Sequence, residues 1–305
     1  MKSRLYLVYA AFLCQTHTDT TMIKLLKNAS SAGMVLLFLI GCAGTSTTTS
    51  ADESATASAT AITGSTATAS AGGSTQTTSA SQNDMRQATQ LEGAWRTTDG
   101  QGNEVVMLVQ DGFFTIARFN QQNKQFLGTT GGTYTVSNGK FNIKQEFNTL
   151  DSTQVGTTAS ADYKLENDQW TLIKDGITDT WNRINESNSN SPLAGTWRIT
   201  GRERDGEMQT MRPGPRKTLK VLSGTRFQWI AFNSETGQFS GTGGGTYTAE
   251  NGKYTENIEF FSRDSSRVGM SLSFNFEVKD GNWHHSGQSS TGNPINEVWS
   301  RISKD

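Results

Sequence analysis

Hydrophobic and polar residues alternate along most of the chain after residue 90, and the clearest example lies near its end. Met270, Leu272, Phe274 and Phe276 fall on one face of this stretch, with polar residues between them. A period of two is that of a β-strand with one buried face. Asn-Gly and Asp-Gly pairs, which favour tight hairpin turns, separate such stretches from one another.

The pattern predicts eight short antiparallel strands in the last third of the chain, and no stretch shows a helical period. The same eight strands are expected, in fewer residues, in the part before it. The predicted strands in the last third lie near residues 194–200, 217–222, 225–233, 241–249, 253–262, 269–278, 282–288 and 295–302.

The two sets of strands are copies of one another. GTTGGTYTVSNGKF at residues 128–141 returns as GTGGGTYTAENGKY at residues 241–254, with ten of fourteen positions identical and an offset of 113. The offset changes in only two places, which marks insertions in loops. The sequence therefore predicts a first copy at 91–184, a polar linker at 185–192 and a second copy at 193–305.

Each copy needs an architecture that covers one apolar face of eight short strands. Closing the strands into an up-and-down barrel covers that face and leaves no exposed sheet edge. An open sandwich is the alternative. The predicted fold class is all-β, with two tandem eight-stranded barrels.

Both ends of each copy carry a tryptophan signature: GAW and WNR in the first copy, GTW and WSR in the second. This resembles the calycin superfamily (lipocalins and fatty-acid-binding proteins) and, more closely, the lipocalin-like domains of unknown function in bacterial secreted lipoproteins. In calycins a tryptophan of the first strand packs under an arginine of the last strand at the closed end of the barrel. The resemblance implies structural pairs of Trp95 with Arg183 and of Trp197 with Arg301, in which a guanidinium stacks on an indole.

The residues before the copies have the pattern of an export signal. From Met22, which we expect to be the true start, a short basic stretch precedes an apolar run at 34–40 and then Cys42. The residues LIGC resemble the lipobox of bacterial lipoproteins, which implies that 1–41 is a signal region and that Cys42 is lipidated. The alternative of a spanning helix needs about 20 apolar residues, far more than the run provides. Cys14 is a weaker lipidation candidate, because a bulky side chain precedes it.

Residues 42–90 are rich in Ser, Thr and Ala, and we expect them to form a disordered tether, because they bury too little apolar surface to offset chain entropy. The chain of 305 residues has 27 basic and 28 acidic residues, and only 33% are hydrophobic. Removal of 1–41 takes away four basic residues and one acidic residue and leaves no basic stretch, so we expect no nucleic-acid partner. Cys42 is then the only remaining thiol, which excludes a disulfide framework.

The second copy places polar residues where the first has apolar ones. Glu256, His285 and Trp229 lie in phase with inward-facing residues of their strands. An ionisable group inside a barrel needs a partner, so we expect the three to face a common pocket and to form a ligand site. The alternative is that strand twist or a bulge places Glu256 and His285 at the wet rim.

The first copy offers two further features. Its sixth strand carries the small inward set Thr157, Ala159, Ala161 and Tyr163, which leaves a cavity unless other strands fill the space. Its second strand is apolar at every position. Val105, Met107 and Val109, which alternate with Val106 and Leu108, are candidates there for an outer apolar patch. The second copy has Thr218, Lys220 and Leu222 at the matching positions, so the patch is expected in the first copy alone.

The sequence gives little support for catalysis, and we expect neither an enzyme nor a metal or cofactor site. His284 and His285 are neighbours on a strand, so they point to opposite faces and do not share a metal ion. The glycines of GTGGGTY lead into a strand rather than a helix, which favours a bulge or close backbone approach over a phosphate loop.

These patterns lead to one expected function and one alternative. We expect a lipid-anchored lipoprotein of the bacterial cell envelope, at the outer membrane, that binds a small apolar or glycan-like ligand in a lipocalin-like barrel without catalysis. The alternative is an accessory scaffold that binds a protein partner through an apolar outer patch.

Overall fold

The computed structural model describes residues 74–187 and 189–302. Within them it confirms the all-β prediction of two tandem, closed, eight-stranded up-and-down barrels. The predicted signal region 1–41, the predicted lipidation residue Cys42 and the predicted tether as far as residue 73 lie outside the described residues.

Barrel 1 is closed by antiparallel pairing of its first strand with its last, where Trp95 lies opposite Arg183. Every other strand pairs with its neighbours along the chain. A short 3-10 turn, Ser152–Gln154, joins the fifth strand to the sixth. The strands are β1 (Gly93–Thr98), β2 (Glu104–Gln110), β3 (Phe113–Asn120), β4 (Gln125–Ser137), β5 (Lys140–Asn148), β6 (Thr158–Glu166), β7 (Gln169–Lys174) and β8 (Ile177–Arg183).

Barrel 2 repeats this order and is closed by pairing of its first strand with its last, where Trp197 lies opposite Arg301. The early insertion adds one strand, β10, which pairs with an extension of the first strand. The strands are β9 (Gly195–Arg204), β10 (Glu207–Thr210), β11 (Arg216–Leu222), β12 (Arg226–Asn233), β13 (Phe239–Glu250), β14 (Lys253–Phe261), β15 (Ser271–Lys279), β16 (Asn282–Gln288) and β17 (Pro294–Arg301), with a 3-10 turn at Ser265–Arg267.

A helix precedes barrel 1, which departs from the expectation of a tether that stays disordered up to residue 90. Helix α1 spans Ser74–Leu91. Leu91 is fully buried in the core of barrel 1, and Ala88 packs against that core. Arg183 donates hydrogen bonds to the carbonyls of Gln90 and Glu92, 2.6 and 2.9 Å away. These bonds satisfy carbonyls that the end of a helix leaves unpaired, so barrel 1 itself holds the end of α1.

The repeated glycines form a β-bulge in each barrel. The β13–β14 register shifts between Gly244 and Gly245, and the β4–β5 register shifts at the matching place. A Cβ at Gly244 would collide with the carbonyl of Phe227 and the ring of Phe260. The bulge also reverses the facing of the partner strand, so that Phe261 rather than Phe260 faces the interior of barrel 2.

The second strand of each copy faces the opposite way from the sequence expectation. Val105, Met107 and Val109 are buried in the interior of barrel 1, so their assignment to an outer patch is wrong. The intervening Val106 and Leu108 face outward and are buried against barrel 2. A strand that is covered on both faces is apolar throughout. Its sequence therefore has no alternation of apolar and polar residues that could show which side chains point into the barrel.

The two barrels pack together through an apolar face related by an approximate twofold axis. Phe119 contacts Phe260 with ring centroids 4.8 Å apart, and Phe147 contacts Phe232 at 4.9 Å. Because Phe119 matches Phe232 and Phe147 matches Phe260 at the offset of 113, the two contacts are reciprocal. Lys217 adds an ion pair to Glu146 at 2.7 Å. The apolar outer faces are therefore used within the chain.

Candidate functional site

A cation–aromatic pair lies at the closed end of each barrel. The Arg183 guanidinium lies 4.1 Å from the ring centroid of Trp95, and the Arg301 guanidinium lies 5.2 Å from that of Trp197. Each indole also donates a hydrogen bond to a carbonyl four residues earlier, at 2.9 Å in barrel 1 and 2.8 Å in barrel 2. Arg301 donates to the carbonyl of Ala194. The structure thus brings together the residues of both predicted floor pairs.

The interior of barrel 2 contains a buried ion pair. The Nζ atom of Lys220 lies 2.8 Å from Oε1 of Glu256, and the two residues are 5% and 4% exposed. The Tyr254 hydroxyl donates to the same oxygen at 2.9 Å. Burial, and then the Glu256 carboxylate, raise the pKa of Tyr254 well above its ordinary value, so the hydroxyl stays protonated and remains a donor.

Four aromatic rings surround the Lys220 ammonium. Its Nζ atom lies between 4.8 and 5.8 Å from their centroids. The faces of aromatic rings attract a cation, and this attraction is stronger where water is excluded. The ammonium is therefore compensated by one carboxylate and by ring faces. The rings belong to Tyr254, Phe274, Trp283 and Trp299.

A second carboxylate, Glu297, lies deep in the same barrel with all of its acceptor positions used. Its Oε1 accepts from Nε and Nη2 of Arg202 at 3.0 and 2.6 Å. Its Oε2 accepts from Trp299 Nε1 at 3.1 Å and lies 3.4 Å from Nδ1 of His285. Burial alone would raise the pKa of Glu297, but the bond from His285 and the positive charges of Lys220 and Arg202 lower it to about 2.

Two members of this cluster have a buried polar atom with no hydrogen-bond partner among the described residues, His285 at Nε2 and Trp283 at Nε1. Burial and then the Lys220 charge lower the pKa of His285 below its ordinary value, so the ring is neutral at pH 7. A carboxylate only accepts, so Nδ1 carries the proton and donates to Glu297. Nε2 is then a bare acceptor, and it is buried with no hydrogen-bond partner among the described residues. A buried acceptor of this kind calls for a donor from outside the chain.

Half-buried aromatic residues line the barrel 2 interior beside this cluster. Trp229 is the cross-strand partner of Lys220 and of Gly243, and Gly243 is the partner of Phe261. The Trp229 and Phe261 rings meet edge to face with centroids 5.5 Å apart. A Cβ at Gly243 would lie 2.7 Å from Trp229 Nε1, so only glycine lets the two rings approach here. Both rings are partly exposed and pack against the barrel 2 core.

The structure brings two of the three predicted ligand-site residues deep into one barrel. Glu256 and His285 are 4% and 2% exposed, so neither lies at the wet rim. No hydrogen bond joins the two; Tyr254 lies between them, bonded to Glu256 and with its ring 5.7 Å from that of His285. Trp229 lies on the same wall, beside Lys220.

Sequence reasoning missed Lys220 and Glu297. Lys220 was placed on the outer face, whereas its ammonium is in the barrel. The Lys220 ammonium can lie in the interior because it is paired with the Glu256 carboxylate, and a paired charge is tolerated where a lone one is not. Glu297 lies two residues before Trp299, and positions two apart share a face of a strand, so this spacing was the available signal.

Barrel 1 has apolar residues at most of the matching positions. Met107, Ile143 and Leu172 stand where barrel 2 has Lys220, Glu256 and His285, and all three are buried in the barrel 1 core. The predicted small wall is present in part: Ala159, Ala161 and Tyr163 face the core, and Thr157 is exposed. The two interiors therefore differ in polarity although their strands match.

A separate polar cavity of about 350 Å³ lies between the linker and the closed end of barrel 2. Glu186 lies in its wall, and its Oε1 accepts hydrogen bonds from the Ser223 hydroxyl at 2.6 Å and from the Thr225 backbone N–H at 2.7 Å. The Glu186 carboxylate thus ties the linker to the β11–β12 turn.

Two kinds of feature are absent from residues 74–187 and 189–302, a metal-binding cluster and a membrane-spanning helix. No group of three or more His, Cys, Asp or Glu side chains there is arranged to hold a metal ion. No helix there has the length and apolar character needed to cross a membrane.

The C-terminal part of the chain matches a family of known proteins. Residues 192–305 match the family described as Domain of unknown function (DUF4488). The match begins at the end of the linker and covers all of barrel 2, so barrel 2 is similar to a recognised domain. No curated protein matches the chain.

Proposed function

We propose that the protein is an exported bacterial lipoprotein, anchored through Cys42, whose barrel 2 binds a small molecule without catalysis. The proposed ligand has an apolar face, such as a sugar ring or a hydrocarbon group, and one hydroxyl or amide donor. The observation that carries this proposal is the bare Nε2 acceptor of His285, buried in barrel 2 with no hydrogen-bond partner on any residue that the structure describes. The calycin-like nature of the barrels, with an arginine over a tryptophan at each closed end, is part of the proposal.

The neighbouring groups explain why the acceptor needs an external donor. Lys220 and Tyr254 are committed to Glu256, and Arg202 and Trp299 are committed to Glu297. These four donors are therefore used, and the Nε1 donor of the neighbouring Trp283 makes no hydrogen bond to His285 or to any other described residue. An unsatisfied buried acceptor costs about 1–3 kcal/mol, and a ligand that donates to it would recover this cost.

The partly exposed rings supply the apolar part of the site. Trp229 and Phe261 lie along the wall that continues from Lys220. An aromatic ring gives a ligand a large contact area, while a few fixed polar groups set its orientation. This division of roles matches a ligand with one apolar face and one polar group.

Binding is favoured over catalysis because the ionisable groups of barrel 2 are paired with one another. Glu297 accepts four hydrogen bonds, so its carboxylate has no free position for proton transfer. Its pKa of about 2 makes it a poor general base near neutral pH. The scaffold alternative depended on an apolar outer patch, and the apolar outer faces are occupied by the contact between the barrels.

Native mass spectrometry of the protein purified from its own cell envelope tests the binding proposal. We expect a co-purified small molecule, released by denaturation. His285→Leu, which copies Leu172 of barrel 1, should weaken its binding about ten-fold or more, because the ligand's donor is left unpaired. His284→Leu is the matched control, because His284 is exposed on the opposite face of the same strand. Equal retention by the His285 variant would contradict the proposal, as would a purified protein that carries and binds no small molecule.

The anchor is tested separately. Cys42→Ser should abolish lipid labelling and release the protein from membranes, because one lipidated terminus is the proposed attachment. Labelling that persists in this variant would contradict the assignment of Cys42. Because Ala43 rather than Asp follows the cysteine, the proposed location is the outer membrane.

A further inference from the structure

Barrel 1 has a carboxylate that lacks the partners of its counterpart in barrel 2. Asp179 matches Glu297 at the offset of 118, and its cross-strand partner Leu172 matches His285. Leu172 is buried in the core, so Asp179 on the same face lies toward the interior. No hydrogen bond or ion pair to a described residue is made by the Asp179 carboxylate.

The lost partners are those that supply positive charge or a proton. Met107 stands in place of Lys220, and Leu172 stands in place of His285. Strand β1 is shorter than β9 and ends at Thr98, so it has no residue that corresponds to Arg202. Burial raises the pKa of Asp179 to about 6, so the carboxylate is charged at neutral pH in spite of its surroundings.

Two buried donors in the same interior are also unpartnered. Trp170 and Trp181 are fully buried, and neither Nε1 atom has a hydrogen-bond partner in the part of the chain that the structure describes. The counterpart of Trp170, Trp283, is likewise unpartnered, so the two barrels differ at Trp181. In barrel 2 the counterpart of Trp181 donates to Glu297. Aspartate is one methylene shorter than glutamate, and the matching bond is not made in barrel 1.

The aromatic wall that surrounds the Lys220 ammonium is largely retained in barrel 1. Phe141 and Trp170 are in contact at 5.0 Å, and they match Tyr254 and Trp283. The fourth ring, Phe274, is replaced by Ala161, which removes a phenyl group from this wall. Barrel 1 therefore combines ring faces, a carboxylate and smaller side chains, but has no ammonium of its own.

We propose that barrel 1 holds a second site, separate from that of barrel 2, which binds a small organic ammonium ion. Asp179 is its counter-ion, and the Trp170, Trp181 and Phe141 rings form its aromatic wall. The ligand's ammonium takes the role that the Lys220 ammonium has in barrel 2. Carboxylate pairing and cation–π attraction both select a cation over a neutral molecule of the same shape.

Isothermal titration calorimetry of the full chain at neutral pH tests this site, with n-butylammonium as the probe and 1-butanol as its neutral analogue. We expect the ammonium to bind and the alcohol to bind at least ten-fold more weakly. Asp179→Asn should weaken ammonium binding at least ten-fold and keep the fold, because the structure already favours the neutral carboxyl. Asp175→Asn, in the exposed β7–β8 turn, is the charge-matched control and should change nothing.

Two further variants separate this site from that of barrel 2. Ala161→Phe, which copies Phe274, should block ammonium binding by filling the wall, whereas His285→Leu should leave it unchanged. The proposal is overturned if the ammonium does not bind at millimolar concentration, if Asp179→Asn binds it as well as the unmodified protein, or if His285→Leu abolishes binding. None of these results depends on whether barrel 2 binds a ligand.

Discussion

The two barrels have the same strand order, the same bulge and the same closed end, but different interiors. Barrel 1 is filled mainly by apolar side chains, including Met107 and Ile143, whereas barrel 2 has Lys220 and Glu256 at the same positions. The shared features are those that fix the backbone: strand pairing, bulge glycines and the tryptophan–arginine pairs. The comparison shows that this barrel accepts a mainly apolar or an ionic interior, and that the buried charges of Lys220, Glu256 and Glu297 in barrel 2 each have a partner.

An ionic interior is costly to maintain. A buried ion pair gains little over apolar residues of similar volume, because desolvation offsets the attraction of the charges. Barrel 1 shows that the apolar solution fits this fold. The retention of charges in barrel 2 therefore favours a role in binding over a role in stability.

The largest expected effect comes from converting part of barrel 2 into barrel 1. Lys220→Met leaves Glu256 buried without its counter-ion, and it should lower the free energy of unfolding by about 3–5 kcal/mol. The triple variant Lys220→Met, Glu256→Ile, Tyr254→Phe copies Met107, Ile143 and Phe141 and removes the unpaired groups together. It should recover most of the loss. Denaturant unfolding of the full chain, with hydrogen exchange resolved by barrel, measures both effects.

The reverse change is the control. Met107→Lys alone in barrel 1 should destabilise that barrel, since it introduces a charge beside Ile143 with no carboxylate at the Glu256 position. A triple variant of barrel 2 that is no more stable than Lys220→Met would show that the two interiors are not interchangeable.

A smaller effect should distinguish the two closed ends. Arg183→Ala should cost about 2–3 kcal/mol, because Arg183 also donates to Gln90 and Glu92 and so holds α1. Arg301→Ala should cost about 1–2 kcal/mol, because its side chain is 45% exposed. Thermal unfolding of the two variants measures the difference.

The Trp197→Ala, Arg301→Ala double variant should cost clearly less than the sum of the single variants, because both remove the same contact. Additive losses would argue against the stacking of Arg301 on Trp197 as a source of stability.

The smallest expected effect is that a fall in pH changes the stability of the two barrels in opposite directions. The pKa of Glu297 is lowered to about 2, so its contribution to stability is present above its ordinary pKa of 4.5 and is lost as the pH falls toward 2. The pKa of Asp179 is raised from 3.8 to about 6, so its charged form destabilises barrel 1, and barrel 1 gains stability as the pH falls from 6 to 4.

Hydrogen exchange resolved by barrel and corrected for intrinsic rates measures this response. Asp179→Asn should remove the gain in barrel 1 between pH 6 and 4, and Glu297→Gln should remove part of the loss in barrel 2 below pH 4.5. A barrel 1 response that is the same in Asp179→Asn as in the unmodified protein would contradict the assignment.

Strand positions could be predicted closely from the sequence, because one face of most strands is apolar and the turns carry Asn-Gly or Asp-Gly. The facing of β2 could not, because the interior and the neighbouring barrel cover its two faces. Helix α1 was missed because its many Ser and Thr residues have low helix propensity and its few apolar residues form no helical period. Its end is held by Leu91 in the barrel and by Arg183, contacts that exist only in the folded protein.

The candidate site was predictable in part. Differences between the copies identified Glu256 and His285 as unusual, and both are in the interior. Their partners were not predictable by the same comparison alone. Lys220 looks like a surface residue until Glu256 is placed beside it, and Glu297 has an acid at the matching position of barrel 1, so the difference between the copies does not reveal it.

The reciprocal contact between Phe119 and Phe260, and between Phe147 and Phe232, has an evolutionary consequence. It is the geometry of a symmetric homodimer, here made by two copies of one barrel within a single polypeptide. In a homodimer every substitution occurs twice, so both interiors change together. In this chain a substitution occurs once, so one barrel interior can change while the other stays as it is.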